Sequence, residues 1–167
     1  MKKIILTTWL IVILISSGLL AISIVYEIDE FQGMVNFQFH IESINVIKNS
    51  TSNITNLEVT ANIFNPSSFS NYELRKINNI IFLNGEEPEY LRGNKWFFKI
   101  LKPQERINIT WSYEVVLKDL NLLNRAEIEG NWNWYFYIQI SLISNIIESL
   151  TFDRSQSFQG VEIIIKG

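Results

Sequence analysis

INITWSYEV, residues 107–115, places Ile107, Ile109, Trp111, Tyr113 and Val115 on one side of the chain and Asn108, Thr110, Ser112 and Glu114 on the other. Apolar residues at every second position with polar partners make a β-strand with one buried face. The same rhythm recurs on both sides. Upstream, Leu57, Val59, Ala61 and Ile63 alternate with Glu58, Thr60 and Asn62, and Val35, Phe37, Phe39 and Ile41 alternate with Asn36, Gln38 and His40. The apolar parity then shifts to Ile44 and Val46, as a bulge near Glu42–Ser43 would cause. Downstream, Trp132, Trp134, Phe136, Ile138 and Ile140 line one face of a long strand, which leaves Tyr135 and Tyr137 on the other.

Between these runs lie further strands and their turns. Tyr72–Leu83 is a strand of less regular parity, closed by Asn84–Gly85, a dipeptide that favours the tight turns of hairpins. Tyr90–Gly93 pairs briefly, Trp96–Ile100 is a strand, Lys102–Pro103–Gln104 turns the chain, and Gly160–Lys166 closes the set. Residues 48–56, KNSTSNITN, form a polar loop. Leu117, Leu120 and Leu123 with Asp119 mark a short helical turn, and Ile143, Ile146, Ile147 and Leu150 an amphipathic turn or two. Seven to eight short strands with almost no helix predict an all-β, immunoglobulin-like two-sheet sandwich over residues 35–167.

Ahead of the sandwich, Ile4–Tyr26 reads IILTTWLIVILISSGLLAISIVY, with no ionisable side chain before its final tyrosine. About 20 apolar residues in a helix cross the roughly 30 Å bilayer core. Lys2 and Lys3 precede the run, and Glu27, Asp29 and Glu30 follow it as isolated charges. Positive charge stays cytoplasmic, so the expectation is a stub at 1–3, a transmembrane anchor at 4–26 in contact with the lipid bilayer, a juxtamembrane linker at 27–34 and an extracytoplasmic domain. A cleaved signal peptide would have a core of roughly 7–15 residues ending in a small-x-small site. Ser16, Ser17 and Gly18 instead fall in the middle of the run, so a single-pass cell-membrane protein with a retained anchor is expected. With no cysteine, the chain has neither lipoprotein processing nor disulfides. A net charge of −3 argues against a nucleic-acid partner.

The ordered features VNFQFHIESINV, LEVTANIFNPSSFSNYEL, INNIIFLNGEE and LKPQERINITWSYEV behind an anchor resemble the group-2 late-embryogenesis-abundant family, or WHy domain. The matching positions are Asn65–Pro66, Gly85 and the Pro103–Val116 strand. The likeness is close over residues 35–116 and loose over 117–165, where the aromatic run at 131–137 departs from the pattern. It implies an immunoglobulin-like sandwich behind a membrane anchor, a role in water or osmotic stress, and lipid contacts for some membrane-bound relatives. The resemblance carries over no catalytic residue. Independently of it, the Asn65 amide is suited to bond the backbone of its own turn while Pro66 keeps the chain out of helix.

Candidate chemistry is sparse. His40 is the only histidine, so no histidine pair or triad exists in one chain, and its parity puts it on a polar face. Glu86, Glu87 and Glu89 follow the Asn84–Gly85 turn without the spacing of a calcium loop, and a solvated acidic turn is expected. Sequons begin at Asn49, Asn53 and Asn108, the first two in a predicted loop and the third on an outward strand face. Tyr135 and Tyr137 are the surface contact candidates, because tyrosine offers apolar area with a polar tip. No catalytic, cofactor or metal residue is expected, and the partner is an unknown protein or lipid. The reading is a non-enzymatic membrane-anchored module that binds or protects. The alternatives are a lipid-binding or lipid-transfer domain and a pilin-like surface filament subunit.

Overall fold

Alternation with period two organises the strands of the computed structural model, which describes residues 2–50, 54–88, 91–144 and 149–166. Eight strands form two four-stranded sheets behind an N-terminal helix. In chain order the elements are α1 (Lys2–Val35), β1 (Gln38–Asn49), β2 (Thr55–Phe64), β3 (Tyr72–Leu83), β4 (Arg92–Leu101), β5 (Arg106–Val115), α2 (Leu117–Glu129), β6 (Asn133–Ile143), β7 (Leu150–Gln159) and β8 (Glu162–Lys166). One sheet runs β5-β2-β1-β8 and the other β4-β3-β6-β7. The contacts are antiparallel except for β8, which pairs parallel with the outer half of β1.

The inward faces interdigitate as the alternation predicts. Ile109, Trp111, Tyr113 and Val115 from β5 and Leu57, Val59, Ala61 and Ile63 from β2 meet Ile77, Ile81, Trp134, Phe136, Ile138 and Ile140 from the second sheet. Phe37 is buried at the entry to β1, while Phe39 is half-buried at the core margin. The parity change in β1 is a bulge at Glu42, between the Ile41 and Ser43 pairings. The irregular parity of β3 has the same origin, a register shift at Arg75. Asn84 and Gly85 have φ of 52° and 83°, and Leu83 and Glu86 exchange backbone hydrogen bonds of 2.8 and 2.9 Å across them. Two consecutive left-handed residues make the primed turn, which only asparagine and glycine adopt at low cost.

Five sequence expectations are corrected. The segment 27–34 is no linker: α1 continues without a break to Val35, and β1 starts at Gln38 instead of residue 35. Tyr90 lies outside the described residues, and Gly93 and Trp96–Ile100 belong to a single strand, β4. Asn49 is the last residue of β1, so the polar loop begins later than residue 48. The short turn at 117–123 is a 13-residue helix that buries Leu122, Leu123 and Ala126 and ends on a left-handed Gly130. Residues 143 and 150 end and begin the neighbouring strands β6 and β7, with Ile146 and Ile147 outside the described residues, and β7 is a strand the alternation did not reveal.

Burial of an apolar surface explains every element except α1. Its most apolar window is unburied by the protein, although it is long and apolar enough to cross a membrane. A helix apolar all round belongs in a large core or in lipid, and residues 7–28 of α1 lie exposed, outside the core. That leaves a membrane anchor or a signal segment.

Candidate functional sites at the helix junction and the outer sheet face

The end of α1 docks on the sandwich. Tyr26, Asp29, Glu30, Gly33 and Met34 recur at spacings of three and four, which puts them on one helix face. That face meets the loop between β2 and β3, which Asn65 builds. The Asn65 side chain is fully buried. Its Nδ2 donates to the carbonyls of Ser70 (2.9 Å), Leu101 (3.2 Å) and Lys102 (2.9 Å), and its Oδ1 accepts from the Ser67 amide at 3.0 Å. One amide thus ties its own turn to the β4–β5 turn.

The shaped loop then grips the helix. Asp29 accepts from the Ser67 hydroxyl, the Ser68 amide (2.9 Å) and the Phe69 amide (3.1 Å). Tyr72 donates its buried hydroxyl to the Glu30 carbonyl at 2.7 Å, and Ser144 donates to the Glu30 carboxylate. Arg154 donates to the Val35 carbonyl at 3.4 Å. Gly33 sits so close that a Cβ there would lie 2.3 Å from the Tyr72 hydroxyl and 2.8 Å from the Ser67 Cβ. Below this, the Phe69 ring packs on Tyr26 with centroids 5.0 Å apart.

Electrostatics follow from these contacts. Burial alone would raise the Asp29 pKa, but the hydrogen bonds from Ser67, Ser68 and Phe69 outweigh it and hold the carboxyl below its ordinary value. Burial first, then the Glu30 carboxylate, pushes the Tyr72 hydroxyl up. Ser67 and Asp29 superficially resemble a nucleophile and its base. The Ser67 oxygen, however, is already an acceptor for the Phe69 and Ser70 amides, at 3.2 and 2.7 Å, so the pair caps a turn. Asp29 and Glu30, expected as isolated charges, are therefore docking residues. Their sequence signal is the i, i+4 pair Asp29 and Gly33 set against a serine-rich turn, a pattern that periodicity alone does not weigh.

The second candidate is the outer face of the β4-β3-β6-β7 sheet. Asn94, Asn78, Gln139 and Asp153 stand in register across its four strands. Asn78 donates to Gln139 at 2.8 Å, and Gln139 to Asp153 at 3.3 Å. Beside this row Ile80, Arg92, Asn94 and Tyr137 line an open groove of about 520 Å³. Tyr135 and Tyr137 are 43% and 39% exposed, as their parity predicts. A hydrogen bond with Asp153 raises the Tyr137 pKa. At the edge of the sheet Trp96 and Phe98, 60% and 58% exposed, stack with centroids 5.9 Å apart, and Lys76 and Arg75 lie over their rings.

The remaining candidates are dispersed. His40 is exposed on β1 and bonds the Gln156 amide at 2.9 Å. Glu86 pairs with Arg125 at 2.7 Å and Glu87 with Arg92 at 3.2 Å, while Glu89 lies outside the described residues. Among the described residues no three His, Cys, Asp or Glu side chains form a metal-holding group. Asn53 lies outside the described residues, and Asn108 is exposed with its Oδ1 accepting from Asn62 at 2.7 Å. Inside the core, Asn79 accepts the Tyr113 hydroxyl, and burial pushes that phenol up to about 12.

No protein-family profile matches the chain, and no curated protein matches it in sequence. Solved structures match the fold. The solution structure of AT1g01470 from Arabidopsis thaliana aligns with a TM-score of 0.53 at 17% identity, covering 77% of this chain and 83% of that one. The LEA-like protein At2g46140.1 aligns at 0.50 with 9% identity, covering 88% and 87%. The structural-genomics target SoR45 aligns at 0.50 with 12% identity, covering 75% and 86%. The likeness is one of fold: the chain is similar to a LEA-like protein and carries a two-sheet β-sandwich behind an apolar helix.

Proposed function

We propose that the chain is a non-enzymatic, membrane-anchored extracytoplasmic module of the group-2 late-embryogenesis-abundant kind, which binds or shields at the cell membrane under water or osmotic stress. The observation that carries this reading is the junction. A membrane-length helix runs unbroken into a docked face and ends on the sandwich through Asp29, Glu30 and Gly33. A helix docked in this way supports a retained anchor over a detachable leader. The fold likeness to a LEA-like protein supports the family reading. The structural use of the Ser67–Asp29 pair supports the non-enzymatic one, since a pair that superficially resembles a nucleophile and base serves to cap a turn. The outer sheet face with Tyr135 and Tyr137 is the surface on which a partner rests.

Complementation of a strain lacking the gene, under drying or osmotic stress, tests this. His40→Ala and Glu86→Gln/Glu87→Gln retain function, because a true acid–base group would be worth about 10²–10⁴-fold in rate. Tyr135→Ser/Tyr137→Ser lowers it with the fold intact. If His40→Ala alone reproduces the deletion phenotype in a folded, membrane-bound protein, the non-enzymatic reading is wrong.

A further inference from the structure

Among the described contacts between the sandwich and α1, those of Phe69 reach furthest toward the start of the helix. Successive contacts descend the helix: Arg154 at Val35, Tyr72 and Ser67 at Gly33, Tyr72 and Ser144 at Glu30, the Ser67 hydroxyl and the Ser68 and Phe69 amides at Asp29, and the Phe69 ring at Tyr26. The ring goes further than Tyr26. It lines a groove of about 310 Å³ with Ala21, Ile22, Val25 and Tyr26, all within the apolar run. At about 1.5 Å per residue, Ala21 to Tyr26 covers roughly 7–8 Å of helix axis. Segments lying in a membrane interface bury their apolar side to a similar depth, about 5–10 Å.

Exposed single aromatics are ordinary on a protein surface. This one has a distinct setting. It is half exposed, it is the sole large apolar side chain in the turn PSSFSN, and its ring packs on Tyr26, the last residue of the apolar run. Tyrosine at that level belongs to the interfacial belt of a spanning helix. The grip of Asp29 on the Ser68 and Phe69 amides fixes the loop in height, so the ring cannot rise away from the bilayer while the helix stays docked.

We propose that Phe69 is a second membrane contact: its ring enters the outer leaflet beside α1 and holds the sandwich down on the lipid surface. The partner is the acyl and interfacial region of the bilayer. This rests on α1 being a retained anchor, and the experiment separates the two claims.

The chain has no cysteine, so single labels can be placed cleanly. Full-length Phe69→Cys, Leu14→Cys and Ser157→Cys are spin-labelled, reconstituted in phosphatidylcholine vesicles and compared for accessibility to oxygen and to a water-soluble nickel complex. Oxygen access exceeds nickel access at 69 as it does at 14, and the order reverses at 157. A label at Ser68→Cys, which leaves Phe69 in place, has low nickel access that rises when Phe69→Asp is added. Nickel access at 69 equal to that at 157, with 14 still oxygen-rich, overturns the Phe69 contact and spares the anchor. Nickel access at 14 overturns both.

Discussion

Asn65 shows how much one residue can carry. Its four hydrogen bonds join two turns that are remote in sequence, and Pro66 follows it out of helix. Asn65→Ala leaves the Ser70, Leu101 and Lys102 carbonyls without this donor in a buried site. Each orphaned group costs about 1–3 kcal/mol, some of it recovered by water, so a loss of roughly 2–4 kcal/mol in unfolding free energy is expected. Chemical denaturation of the purified domain checks it. Asn65→Asp should do no better, because a carboxylate would face carbonyl oxygens. The sequence made the role of Asn65 in its own turn legible, because side-chain amides commonly bond two residues ahead. Its bonds to Leu101 and Lys102 were not legible, since nothing local relates residue 65 to residue 101.

At the scale of elements, strands announced themselves where the buried face is apolar. β5 and β6 repeat an unbroken alternation, and the structure buries those parities. β7 escaped because its inward positions are Leu150, Phe152, Arg154, Gln156 and Phe158, so the pattern is diluted by polar groups. Those groups have backbone work to do. Gln156 Oε1 accepts the Ile41 amide at 2.8 Å, which satisfies a part of β1 that β8 does not reach. Arg154 bonds Val35 and covers the Phe152 ring. The continuation of α1 past Tyr26 was hidden for a related reason. Charges at Glu27, Asp29 and Glu30 end an apolar run without ending a helix. Gly33→Ala tests the docking of this element. Its Cβ would meet Tyr72 and Ser67, so the variant should undock the helix and leave the sandwich folded. The expected result is an unchanged thermal transition, with a spin label at Asn71→Cys becoming markedly more mobile. A label as immobile as in the parent chain would mean that the close approach relaxes without cost.

At the scale of the molecule, the chain is a head fixed to a stalk. The two sheets share one apolar core, and the chain has no cysteine to cross-link it. α2 closes the end remote from α1, where Lys48 pairs with Glu127. If Lys2 and Lys3 lie in the cytoplasm, protease added to intact cells or spheroplasts removes the sandwich and leaves a short membrane-protected fragment. Complete protection, or a mature N-terminus after residue 20, would reverse that orientation or remove the anchor. The unbroken passage of α1 into its docked face also has a mechanical consequence. A spanning helix adjusts to bilayer thickness by tilting, commonly by about 20°. A flexible linker would absorb that tilt, but a docked helix passes it on as a lever. The strands extend roughly 30 Å beyond the junction, so a tilt of that size swings the far end by about 10 Å. If α1 is retained across a bilayer, a change in bilayer thickness would therefore reorient the aromatic sheet face together with the helix.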